Sequence, residues 1–81
     1  MTSGTVRIKN VSGEDYAVAE LGGLVVAPQA EIDLLDDTLP VFYDDWEVAR
    51  RLVTEPNEAQ LYQDILLGEI EVVELREPVG M

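Results

Sequence analysis

Apolar and polar residues alternate along "TVRIKNV", with Val6 and Ile8 set against Arg7 and Lys9. A period of two marks a half-buried strand. The cluster "NVSGED" that follows is rich in Asn, Ser, Gly and Asp and predicts a turn. "DYAVAEL" alternates again, Tyr16 and Val18 against Ala17 and Ala19, and predicts a second, antiparallel strand. Gly22 and Gly23 permit the positive φ of a tight hairpin into a third strand, "LVVA", which Pro28 ends. In "APQAEIDLL" a short turn gives way to a fourth strand. Ala30, Ile32 and Leu34 take one face and Glu31, Asp33 and Leu35 the other. Residues 21–37 thus read as two strands and two turns at the centre of a small antiparallel sheet.

The second half changes period. In "DDWEVARRLVTEP", Trp46, Ala49 and Val53 with Val48 and Leu52 form an apolar stripe at helical spacing, and Arg50 and Arg51 lie toward the other side. Asp44 is the expected N-cap, since Glu47 three residues on completes a capping-box spacing. Pro56 stops the helix, because the residue before a proline avoids the α region. Asn57 is the expected cap of a second short helix, with Gln60 at the reciprocal position. Leu61 and Ile65, with Tyr62 and Leu66, give that helix a buried face, and Gly68 suits its C-terminal turn. "EIEVVEL" predicts a last strand whose alternation slips at Val72-Val73, the mark of a bulge or of burial on both faces.

Four strands, two short helices and a strand predict an α+β fold. The sheet is a small antiparallel one or a partly open β-barrel of about five strands, with both helices before the last strand. The 81 residues form one small β-rich domain, with residues 1–4 and 77–81 as flexible tails. The expected core takes Val6, Ile8, Val18, Leu24 and Val26 from the first three strands and Ile32, Leu34, Ile70 and Val72 from the others. Trp46, Ala49, Leu52, Val53, Leu61, Ile65 and Leu66 complete it from the helices.

Charge changes the picture from fold to partner. The chain carries 17 acids against 5 bases, a net charge of −12. Residues 1–13 hold Arg7 and Lys9 and no acid, a local +2; the remainder holds every acid against Arg50, Arg51 and Arg76, a local −14. Such a surface repels phosphate backbones, so nucleic acid is not an expected partner. It suits a basic protein partner or a chain kept soluble at high concentration, and a well-solvated surface accounts for the same numbers. The longest apolar run, residues 24–27, is far too short to span a membrane, and "MTSGTVRIKN" lacks the apolar core of a secretory signal. A soluble protein made and kept in the cytoplasm, or released only when cells lyse, and without a membrane partner, is the expectation.

The residues for chemistry are sparse. With no Cys and no His, disulfides, thiolate metal sites and the commonest acid–base catalyst are excluded. Asp36-Asp37 and Asp44-Asp45, with Asp33 nearby, lack the ligand spacing and central Gly of a calcium loop and read as turn-solvating and helix-capping acids. Neither Ser3 nor Ser12 has a His partner, and so short a chain can hardly build the walls of a glycosidase cleft around two carboxylates. No enzymatic activity, metal or cofactor is expected. "YDDWEVARR" instead combines residue types enriched at interface hot spots, Trp46 reading as core and Phe42 and Tyr43 as surface.

The run "VRIKNVSGEDYAVAELGGLVVAPQAEIDL" resembles the small structural proteins encoded among the head and tail genes of tailed bacteriophages. Its shared elements are a strand with V-x-N-x-S-G, the pattern L-G-x-x-V-x-P-x-x-x-x-x-L, and a helix ending near L-x-x-x-P. They fall at residues 6–13, 21–34 and 52–56. The resemblance implies a non-catalytic virion component, a capsid-decoration or head accessory protein, and carries no catalytic residue. Other virion proteins, a major capsid or head–tail protein among them, are then the expected partners, and a homo-oligomer is a further one. The interface is expected at Arg7, Lys9, Phe42, Tyr43, Arg50 and Arg51, with the basic N-terminal segment adding an edge strand or arm to a neighbour. The alternative is a small acidic adaptor or inhibitor, in one form a DNA mimic that fills a basic groove.

Overall fold

The structure, a computed structural model, describes residues 4–79. It is an α+β fold of five strands and two short helices, with the last strand after the helices. The strands are β1 (Thr5–Asn10), β2 (Tyr16–Val18), β3 (Leu24–Val26), β4 (Glu31–Asp33) and β5 (Ile70–Arg76); the helices are α1 (Trp46–Thr54) and α2 (Gln60–Leu66). Of the expected tails, residues 1–3 and 80–81 lie outside the described residues. Gly4 is buried, with Trp46, the Arg76 carbonyl and Pro78 around its Cα.

The strands form two antiparallel sheets, ordered β4-β1-β5 and β2-β3. This corrects two expectations. The centre of the larger sheet is β1, not the 21–37 stretch, whose two strands part company: β3 pairs with β2, and β4 lies at the sheet edge. Because β1 is flanked on both sides by β4 and β5, that strand has no edge to lend to a neighbour. The slip at Val72-Val73 is a bulge. Arg7 pairs with Glu74 but Ile8 with Val72, so Val73 is the extra residue and points outward.

Alternation on β1 places Val6, Ile8 and Asn10 inward, all fully buried. They pack with Val18, Leu21, Val26, Ile32, Leu34 and Ile70, and α1 and α2 close the core with Ala49, Val53 and Leu61. A single 3-10 turn, Ala19–Leu21, precedes Gly22 and Gly23, both at positive φ, and carries Leu21 into the core. Leu35 is also buried, against the expected alternation. The strand ends at Asp33, and the Leu34 C=O accepts the Tyr43 N–H (2.8 Å), so the chain bends before Leu35 can take the outer face. Trp46 packs against the core and its Nε1–H donates to the Thr5 carbonyl (3.1 Å). Leu66, expected in the core, is largely exposed, and Val48, part of the expected apolar stripe, is half exposed, because such short helices touch the sheet along a narrower stripe than the sequence offers.

Both cap assignments move. Asp45, not Asp44, caps α1, its Oδ1 accepting from Glu47 N–H (3.0 Å) and Val48 N–H (3.4 Å). The N-cap of α2 is Ala59, while Asn57, two residues earlier, accepts the Ala59 N–H at its Oδ1 (2.7 Å). Gly68 does end α2: its N–H bonds to Ile65 C=O and that of Glu69 to Asp64 C=O, the paired closure that a left-handed residue permits.

Candidate partner interface

The corner between the helices builds a groove. Asn57 fixes it: Nδ2 donates to the Leu52 (2.9 Å) and Glu55 (2.7 Å) carbonyls, and Gln63 Nε2 donates to the Asn57 carbonyl (2.9 Å). These bonds hold Pro56 and Ala59 in one position relative to the end of α1. From the other side, Tyr43 is tied to Leu34 by its main chain. Between them lies an open groove of about 310 Å³ with Tyr43, Val48, Leu52, Pro56 and Ala59 as apolar lining and Arg51, Glu55 and Glu58 among its polar residues. Val48, half exposed on α1, is apolar surface left over from the core.

Of the expected interface residues, Tyr43 and Arg51 meet at this groove, and Phe42, itself exposed, adjoins Tyr43 in the chain. The others lie elsewhere and are largely neutralised. Arg50 pairs with Glu47 and with Glu55 (3.4 Å) and stacks over Trp46, its guanidinium carbon 5.9 Å from the ring centroid. That pairing holds the Glu47 carboxyl below its ordinary range. Arg51 also reaches Glu47 (3.4 Å) but stays largely exposed. Arg7 pairs with Glu74 (3.2 Å) and, more loosely, with Glu31 (3.9 Å); Lys9 has no ion pair among the described residues and sits between Glu31 and Glu71 in the sheet register. The basic N-terminal segment therefore forms no basic sheet face: Arg7 and Lys9 stand in rows with Glu31, Asp33, Glu71 and Glu74.

A second polar cluster ties the β2–β3 hairpin to α2. Asp64 is buried, accepting from the Tyr16 hydroxyl and from Gln60 Nε2 (3.1 and 3.2 Å). Burial first, and then the bond to Asp64, raise the Tyr16 phenol far above its ordinary value. A phenol held this way keeps its proton at neutral pH, so it works as a hydrogen-bond donor, not as a nucleophile. Tyr43 is raised too, by burial and then by the Glu20 carboxylate, one of whose oxygens is buried without a hydrogen-bond partner. Among the described residues no group of three or more acidic side chains is arranged to hold a metal, and no helix is long and apolar enough to cross a membrane.

The groove was not legible as a site. Tyr43 and Arg51 stood out by residue type, but Val48 and Leu52 read as the apolar stripe of a helix, and Asn57, which shapes the wall, read as a helix cap. Comparison with protein-family models, with curated proteins and with solved structures finds no match for this chain.

Proposed function

We propose that this chain is a non-catalytic structural subunit of a tailed-bacteriophage virion, a decoration or accessory protein docked on the capsid or head–tail surface. The observation that carries the docking is the groove of Tyr43, Val48, Leu52 and Pro56, apolar surface that a small and otherwise charge-rich domain leaves uncovered. Docking would add burial to a thin core that no disulfide braces. The virion setting rests on the resemblance at residues 6–13, 21–34 and 52–56. The subunit would be made in the host cytoplasm and assembled there with capsid or head–tail proteins, or with further copies of itself. The acidic adaptor or DNA mimic is the second reading, and the net charge of −12 favours it.

Mass spectrometry of particles purified from lysates of the host carrying this gene tests the proposal. The chain should be present in amounts fitting a repeated subunit, and should stay bound in high salt, because apolar docking survives screening. Its absence from the particles overturns the virion reading. Release from its partner on modest addition of salt points instead to the acidic adaptor.

A further inference from the structure

Two strands of the fold have an edge with no strand partner on one cleft. Among the described residues β3 is bonded only to β2, and β4 only to β1. Both line a cleft of about 350 Å³, which shares no lining residue with the Tyr43 groove. The two edges differ. On β3 the Val26 carbonyl already accepts Asn10 Nδ2 (2.9 Å).

On β4 the ladder itself shows what is left open. Leu34 N–H donates to the Val6 carbonyl (2.9 Å) and Asn10 N–H to the Ala30 carbonyl (3.0 Å), while Ile8 stands opposite Ile32. In an antiparallel pair, bonded and non-bonded positions alternate. The main-chain groups of Glu31 and Asp33 therefore point away from β1, toward the outer edge. The Asp33 carbonyl is used by the Asp36 N–H (3.1 Å). That leaves the Glu31 N–H and C=O and the Asp33 N–H as one set of strand-pairing groups.

We propose that the outer edge of β4 takes an extended basic segment of a partner protein as an added antiparallel strand. The side chains around this edge select the occupant. Its apolar lining, Leu24, Val26, Ala30, Ile32 and Leu39, suits aliphatic residues at every second position of the incoming strand. The alternate positions meet Glu31, Asp33 and Asp36, against which only Arg7 stands among the lining residues, and Arg7 is already shared with Glu74. Lysine or arginine there completes the charge. A second copy does not fit: pairing antiparallel about Ile32 sets Glu31 opposite the partner's Asp33, and like charges directly opposite destabilise a ladder. The other edge of the same sheet is blunted, since β5 carries the bulge at Val73 with Glu71, Glu74 and Arg76.

The inference stands whether or not the chain is a virion subunit, and its test needs no native partner. A short capped peptide of alternating lysine and valine is titrated into the full chain while amide exchange is followed by NMR. The peptide should slow exchange at the Glu31 and Asp33 amides. A fully N-methylated peptide of the same charge, which cannot donate main-chain hydrogen bonds, should bind at least tenfold more weakly. Glu31→Lys, at an exposed position, should weaken the unmodified peptide by roughly fivefold or more. Equal binding by the N-methylated peptide, protection confined to other amides, unchanged affinity in Glu31→Lys, or no binding at millimolar peptide overturns the proposal.

Discussion

Asp33 and Val6, 27 residues apart, close the end of the larger sheet by an unusual bond: the Val6 N–H donates to the Asp33 carboxylate (3.2 Å). The Leu34 carbonyl, which would accept that N–H in a regular ladder, is taken by Tyr43. The same oxygen, Asp33 Oδ1, accepts the Leu35 N–H (3.0 Å). One side chain thus ends β4, turns the chain toward the helices, and satisfies an amide in the fully buried Val6. Asp33→Ala should cost about 2–3 kcal/mol, the scale of leaving such donors unmade, and Asp33→Asn, which keeps an acceptor, less than about 1. Urea unfolding of both variants checks this, and equal midpoints for Asp33→Ala and the parent would remove the bond from the account.

Asn10 joins the two sheets. Fully buried at the end of β1, it donates from Nδ2 to the Glu14 (2.7 Å) and Val26 (2.9 Å) carbonyls and accepts at Oδ1 from Ser12 N–H (3.0 Å) and Oγ (2.7 Å). Asn10→Ala should lose about 2–3 kcal/mol. Asn10→Asp should lose more at neutral pH, since a carboxylate then faces two carbonyls with no proton to give. Lowering the pH should narrow the gap between the two variants, and a gap that stays fixed would mean that the amide hydrogens matter little.

This residue also shows what the sequence conveyed. The period of two put positions 6, 8 and 10 on one face of the first strand, so a polar residue on the buried face was visible there. Reading Asn10 only as part of a turn cluster missed it. Strand existence, helix position and the bulge were legible because each leaves a periodic trace in the chain. Pairing was not, because alternation reports which face a residue takes and not which strand lies beside it; hence the misplaced centre of the sheet. Asp44 and Asp45 are chemically equivalent as caps, and only the backbone path decides between them. The Tyr43–Arg51 meeting is likewise set by the Asn57 corner, which no local pattern announces.

Alkaline stability should depend on Tyr16. Its phenol is raised by burial and by the bond to Asp64, and a group with a raised folded pKa contributes its full stability below the unfolded value, near 10. That contribution is lost as pH climbs past 10. Unfolding free energy should therefore be level from neutral pH to about 9 and fall above it. Tyr16→Phe should be less stable at neutral pH but show a shallower alkaline fall, keeping the part due to Tyr43. An unchanged alkaline slope in Tyr16→Phe would rule the coupling out.

Salt should stabilise the isolated chain. Only Glu31, Glu47, Glu55 and Glu74 of the 17 carboxylates stand in ion pairs among the described residues, so screening removes far more repulsion than attraction. Thermal melts should move upward between about 0.02 and 0.5 M sodium chloride. A downward shift would show that the arginine pairs outweigh the net charge.

The groove can be tested without disturbing the core, through Val48. It occupies the first turn of α1, where the Asp45 cap and the positive end of the helix dipole favour a negative charge, and its side chain is half exposed. Val48→Asp should therefore leave stability within roughly 0.5 kcal/mol of the parent, or raise it slightly. The same change puts a carboxylate beside Leu52 and Pro56, in the apolar lining of the groove. Burying that charge against a partner without a counter-ion costs several kcal/mol, so docking should fall by at least about tenfold. Val48→Leu, which keeps the surface apolar, should dock normally. Incorporation of the three proteins into purified particles, compared at equal expression and with matched melting curves, gives the answer. Particles that take up Val48→Asp as readily as the parent would move the docking surface away from this groove.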